Sequence, residues 1–159
     1  MKKIFVTLAI AASLFTTNIY AATSAIKTDD GTENVTYAAI SKFNSDYARA
    51  ENVSWKVSTT FQKVTFTLDD VKMSAFYNLR GELIGVTQNV QFKALPERAR
   101  KEIAAKYEGY FAKEVIKLET GDDSSFDNTV YFVDLSKDDK EVLVRVTPGA
   151  GVYFFKTIK

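Results

Sequence analysis

The chain has 159 residues, of which 46% are hydrophobic and 13% are aromatic, so it can form one domain with a packed core. It contains no cysteine and no histidine, which excludes disulfides, thiol nucleophiles, serine–histidine–aspartate catalysis and the usual zinc sites. With 21 basic and 20 acidic residues, the net charge is +1 at pH 7, and this balance with interspersed signs argues against a nucleic-acid partner.

The amino-terminal segment, residues 1–21, has the features of a bacterial signal peptide. Lys2 and Lys3 precede an apolar run over residues 4–15, and Ala21 provides the small residue at which signal peptidase cleaves. The run is shorter than the about 20 residues of a membrane span, and we predict no such span after its removal. Residues 22–33 are polar and small, which predicts a flexible leader. The chain is therefore predicted to be periplasmic or secreted.

Residues 34–93 are predicted to form a helix followed by four strands. Asn34 is the expected N-cap of a helix of about four turns, whose apolar side chains recur at helical spacing. Residues 53–57 alternate as a short strand in which Trp55 points towards the core. Residues 64–90 alternate as a β-meander, with tight turns at residues 69–70 and 80–82.

Residues 94–159 are predicted to repeat this order. A helix over residues 94–108 has Pro96 in its first turn and Gly109 at its end. Four strands follow, at residues 110–119, 130–135, 141–146 and 152–155. The alternating residues Val64, Phe66 and Leu68 recur with the same spacing later in the chain, as Val130, Phe132 and Asp134. This recurrence suggests a tandem repeat.

These elements predict an α+β fold in which two helix-plus-antiparallel-meander units share one sheet, with both helices on one face. Aromatic residues on the other face are candidates for contacts with a partner, because a cluster of exposed rings marks an interface. Strand alternation places four rings out of phase with the core. The alternative is that these strands are buried on both sides, because both faces of the later strands are apolar. The predicted contact residues are Phe76, Tyr131, Tyr153 and Phe155.

The acidic residues predict no catalytic or metal site. Asp122, Asp123, Asp127 and Asn128 share a loop with oxygen ligands for calcium, but their spacing lacks the central glycine and the final glutamate of an EF-hand. The alternative is a solvated loop. The aspartate pairs at residues 69–70 and 138–139 fall where strands turn, and no phosphate-binding loop is present. We therefore predict neither catalytic residues nor a cofactor.

Several segments resemble one family of exported proteins. Trp55 in the run NVSWKV, the run AFYNLRGE over residues 75–82, and the helix start at Leu95-Pro96 are similar to PepSY-like, β-lactamase-inhibitor-like proteins of Bacteroidetes. The likeness covers residues 35–158. It implies tandem helix-plus-sheet units whose open sheet face binds a partner enzyme. The similarity to PepSY domains further implies a role in restraining exported peptidases. The chain lacks the cysteines of the secreted inhibitors, and no inhibitory residue is carried over from them.

The sequence thus predicts a non-enzymatic exported module that recognises a protein or peptide through an open sheet face. Inhibition of an exported enzyme is one consequence that such binding would have. The alternative is an envelope protein that binds a small ligand or calcium, either between the sheet and the helices or at the loop of residues 122–128. We predict no nucleic-acid partner.

Overall fold

The computed structural model describes residues 32–120 and 129–159, and the statements below concern these two ranges. They form one eight-stranded antiparallel sheet whose strands are neighbours in chain order, together with two α-helices. The predicted α+β fold is confirmed. The helices are α1 (Tyr37–Asp46) and α2 (Glu97–Lys106), and the strands are β1 (Glu51–Val57), β2 (Gln62–Leu68), β3 (Val71–Tyr77), β4 (Leu83–Asn89), β5 (Phe111–Thr120), β6 (Thr129–Lys137), β7 (Lys140–Val146) and β8 (Val152–Thr157).

Some predictions fall on residues outside these ranges. They are the signal peptide over residues 1–21, nearly all of the leader over residues 22–33, and the acidic loop from Asp122 to Asn128. Within the described ranges, neither helix is long and apolar enough to cross a lipid bilayer.

Both helices pack on the same face of the sheet, which we call the helix side. Ala39 and Phe43 of α1 join a buried cluster with residues of β1, β2 and β3, and Ala99 and Ile103 of α2 join a second cluster with residues of β5 to β8. The Phe43 ring centroid lies 5.5 Å from that of Trp55. Trp55 is only 6% exposed, so its predicted place in the core is confirmed.

The first helix begins at a different residue from the one predicted. Thr36, not Asn34, is the N-cap, and its hydroxyl accepts a hydrogen bond from the Ala39 N–H at 3.4 Å. The fully buried Gln62 amide explains the shift, because its Oε1 accepts from the Thr36 N–H at 2.6 Å and its Nε2 donates to Thr36 Oγ1 at 3.1 Å. The same Nε2 donates to the Asn78 carbonyl at 2.7 Å, so one side chain connects the helix start to β2 and to the turn after β3.

The two halves repeat the same local hydrogen bonds. At the helix ends, the bond from the Tyr47 N–H to the Phe43 carbonyl recurs from Tyr107 to Ile103. At the hairpins after β3 and β7, the bond from the Gly81 N–H to the Asn78 carbonyl recurs from Ala150 to Thr147. The separation along the chain between Gly81 and Ala150, at the hairpins, is larger than that between Tyr47 and Tyr107, at the helix ends. The second half therefore has more residues between its helix and its last hairpin, in longer first and second strands and a longer connection between them.

The hairpin bonds align the last three strands of one half with those of the other, and we call this pairing the hairpin alignment. It matches Gly81 with Ala150 and Asn78 with Thr147.

The hairpin alignment corrects the predicted match between the halves. Val64 corresponds to Val133, and both belong to the helix-side clusters, whereas the predicted partner Val130 lies on the opposite face. Since side chains alternate between faces, a shift by an odd number of positions moves every side chain to the wrong side.

Candidate functional site

The sheet face away from the helices, which we call the open face, has its own apolar cluster. The strand register places Phe76 opposite Lys63 and Ile116 opposite Phe132 on this face. Neither helix contributes to the cluster, which we call the open-face cluster. Its buried members are Phe76, Leu118, Phe132 and Leu143, and Phe61, Ile84, Val130 and Phe155 pack against them.

Two of the predicted contact residues lie in the open-face cluster. Phe76 is 0% exposed; the Phe61 ring meets it edge-on at 5.6 Å between centroids, and Lys63 Nζ lies 5.6 Å from the Phe76 centroid. Phe155 is half-buried and packs edge-on against Phe132 at 5.3 Å. Phe76 is therefore buried beneath the surface, and its predicted direct contact with a partner would require neighbours such as the Phe61 ring to move.

The other two predicted contact residues lie on different faces of the sheet. Tyr153 is 57% exposed on the edge strand β8 and lies opposite Arg145, which lies opposite Phe132 of the open face. Tyr131 lies opposite Val146 and packs against the α2 cluster, so its predicted place on the open face is wrong. In the hairpin alignment Tyr131 occupies the position of Gln62, which faces α1. Among the four rings, Tyr153 is the exposed one on the open face.

A row of directly opposed side chains crosses the open face in each half. In the first half the row is Lys56, Lys63 and Phe76, so two lysines precede the ring. In the second half the row is Ile116, Phe132, Arg145 and Tyr153, so the cation follows the apolar pair. Sequence reasoning followed the aromatic residues and missed the cations, although the alternation that placed Phe76 on this face also places Lys72 there.

A buried acid also lies on the open face. Asp134 is 4% exposed, sits opposite Glu114 and Leu143, and its Oδ1 has no hydrogen-bond partner among the described residues. Burial, followed by the hydrogen bond and the charge of Glu141, raises the pKa of Asp134 to about 7. Hydrogen bonds from Lys113, at 2.9 Å, and from Asp134 lower the pKa of Glu141. Below about pH 7, the proton of this pair therefore lies mainly on Asp134.

Within the described ranges, the carboxyl pair lies next to Lys113 and Glu114, which line a cavity. No group of three or more acidic residues able to hold a metal ion occurs in that part of the chain. A shallow cavity of about 330 Å³ lies beside the pair and is lined in part by Asn89, Lys113 and Glu114. Three of its polar side chains already have partners, since Asn89 Nδ2 donates to Glu114 Oε1 at 2.6 Å and Lys113 binds Glu141. The loop considered for calcium lies outside the described residues.

Comparison with known proteins shows which solved structures share this fold. The sequence matches no protein-family model and no curated protein. Among solved structures, a BLIP-like protein from Bacteroides fragilis is similar, with a TM-score of 0.65 and 16% identity over 82% of this chain and 92% of that one. A DUF2874 family protein from Bacteroides uniformis has a TM-score of 0.69 and 11% identity, covering 78% of this chain and 90% of its own.

A third similar structure, from Bacteroides eggerthii, is described as that of a periplasmic protein. It has a TM-score of 0.69 and 11% identity, covering 78% of this chain and 89% of its own. At these identities the likeness concerns the backbone. The chain has the fold of the BLIP-like protein from Bacteroides fragilis.

Proposed function

We propose that this chain is a non-enzymatic, exported module that binds a protein or peptide on the open face of its sheet. The observation that carries the proposal is the division between the two faces. Both helices cover one face, while on the other the half-buried members of the open-face cluster, such as Phe61 and Phe155, are bordered by accessible polar side chains and the Tyr153 ring. Protein-binding surfaces have this organisation of an apolar centre within a polar rim.

The comparisons support the same proposal. The chain shares its fold with a BLIP-like protein, which is the fold that the sequence resemblance implies, and inhibition of an exported enzyme is the consequence that we propose for binding. Restraint of an exported peptidase, as in PepSY-like proteins, is one form of such inhibition. Export itself is supported by the residues of the predicted signal peptide and by the periplasmic neighbour.

The test uses two neighbouring exposed rings that lie on opposite faces. Tyr153 is 57% exposed on the open face, whereas Phe154, 60% exposed, lies opposite Val144 on the helix side. The tagged full chain is expressed in a Bacteroides host and recovered with its bound proteins. We expect a partner that is retained by Phe154→Ala and lost at least about tenfold with Tyr153→Ala, the size of effect that an aromatic hot-spot residue has.

Two outcomes contradict the proposal. One is equal recovery of every bound protein by both variants, and the other is the absence of any bound protein from wild type. Circular dichroism of both variants excludes unfolding as the reason for a loss.

A further inference from the structure

Three lysine side chains lie together on the open face of the first half, and we call them the lysine patch. Lys56 of β1 and Lys63 of β2 are directly opposed, and Lys72 of β3 lies on the same face opposite Thr67. Opposed residues have Cβ atoms about 5 Å apart, and like charges in this arrangement are destabilising. The fold therefore bears an electrostatic cost at this place.

No ion pair among the described residues reduces that cost. Their ion pairs involve other cations, and none includes Lys56, Lys63 or Lys72. The acidic residue nearest in register is Glu51, opposite Thr67 and beyond a bulge of β1, and it pairs with none of them. Burial, together with the charges of Lys56 and Lys72, lowers the pKa of Lys63. Positive charge is thus concentrated where it repels itself.

The second half shows that the backbone does not require these lysines. At the corresponding positions, Ile116 and Phe132 replace Lys56 and Lys63, and they are 4% and 1% exposed. In the hairpin alignment Glu141 replaces Lys72, which reverses the charge. An apolar pair can therefore fill the same row in the same sheet, so folding alone does not explain why Lys56 and Lys63 are present.

We infer that the lysine patch binds an acidic segment of the partner protein. The inference rests on the proposed function and specifies the partner's chemistry. A carboxylate between Lys56 and Lys63 replaces their repulsion with two attractions, and the hydroxyls of Thr65 and Ser74, 3.2 Å apart, lie between Lys63 and Lys72 as further polar groups.

A protein fits this face better than a uniform polyanion does. The other half of the same face bears Glu114 on β5 and Glu141 on β7. A nucleic acid or an anionic membrane lying across the whole face would meet these acids, whereas a protein surface of mixed charge matches both halves.

The experiment measures binding of a fluorescent oligoglutamate peptide to the purified chain by anisotropy. The double variant Lys56→Gln, Lys63→Gln is compared with Lys42→Gln, Lys101→Gln, which removes the same charge from α1 and α2, where both lysines pair with acids at i, i+4 spacing. We expect the patch variant to bind at least about tenfold more weakly, equivalent to about 1.4 kcal/mol, and the helix variant to bind like wild type. Added salt should weaken wild-type binding.

Equal weakening in both variants, or no binding by wild type, would overturn the inference. So would tighter binding of duplex DNA or phosphatidylserine vesicles, offered as alternative probes. The variant Lys56→Glu separates binding from folding: it should lose the peptide while raising the melting temperature, because it converts a repulsive pair into an attractive one.

The natural partner distinguishes this inference from the proposed function. A partner that depends on Tyr153 but is retained by the Lys56→Gln, Lys63→Gln variant would refute the lysine patch and leave open-face binding standing. A partner unaffected by Tyr153→Ala but lost with the lysines would support the lysine patch and refute the proposed contact with Tyr153.

Discussion

The two halves of the molecule build the same helix and four strands around different cores. The first core is aromatic, with the Phe43 ring centroid 5.1 Å from that of Phe66 and 5.5 Å from that of Trp55. The second is aliphatic, with Ile103 packed among valines and leucines. The hydrogen bonds at the helix ends and hairpins are nevertheless the same. Strand alternation, helix ends and turns thus specify the backbone, while different apolar side chains of suitable total volume fill the space.

The open faces differ in a more consequential way. Where the first half has Lys72, the second has Glu141, and where the first has Lys63 opposite Phe76, the second has Phe132 opposite Arg145. The helix side keeps its apolar character in both halves, whereas the open face changes its charge. We interpret the open face as the part that is adapted to a partner.

The largest effect on stability is expected where α1 meets the hairpin after β3. Gly81 has φ 85°, and a Cβ there would lie 2.6 Å from Ala38 Cβ and 2.7 Å from the Ala39 nitrogen. Gly81→Ala should therefore lower the free energy of unfolding by about 3 kcal/mol, from the clash and the left-handed backbone together. The corresponding residue is Ala150, with φ 61°, and Ala150→Gly should change the free energy by less than about 1 kcal/mol.

Urea denaturation of both variants measures this difference. Equal effects would mean that the two helices lie equally close to their hairpins. A Gly81→Ala variant as stable as wild type would contradict the close contact with α1.

The next effect concerns Asp134, whose position in the first half is occupied by Thr65. Because the folded-state pKa of about 7 exceeds the ordinary value of 3.8, this carboxyl favours the folded state least when it is ionised. Its contribution to stability is complete below about pH 4 and is lost as the pH rises to about 7. Asp134→Asn should remove this slope and raise the free energy of unfolding at pH 8 by at least about 1 kcal/mol.

Urea unfolding at a series of pH values tests this expectation. The lowered pKa of Glu141 acts in the opposite direction, and its stabilisation is lost as the pH falls below the ordinary value of 4.5. The range from pH 5 to pH 7 therefore reports mainly on Asp134. Parallel curves for wild type and Asp134→Asn in this range would show that Asp134 is not protonated.

The local patterns of the sequence predicted the strands well, because an antiparallel strand with one buried face shows its alternation in neighbouring residues. The start of α1 was missed because the Gln62 amide that binds Thr36 is distant in the chain and reaches it only in the folded sheet. Tyr131 was misplaced because both faces of β6 are apolar, so only pairing with β5 and β7 determines its side. The burial of Phe76 depends likewise on Phe61 and on the later strands.

The smallest effect is expected at the two aspartate pairs, which are identical in sequence but not in backbone. Asp70 has φ 63°, whereas Asp139, its counterpart, does not have a positive φ. Both are exposed, and neither side chain forms a hydrogen bond or ion pair within the described residues. Asp70→Gly should raise the free energy of unfolding by about 0.5 kcal/mol by relieving the left-handed backbone, while Asp139→Gly should lower it by about 0.5 kcal/mol through added chain entropy. Thermal melts of the two variants should therefore shift in opposite directions, and a shift in the same direction would show that backbone geometry does not distinguish the two turns.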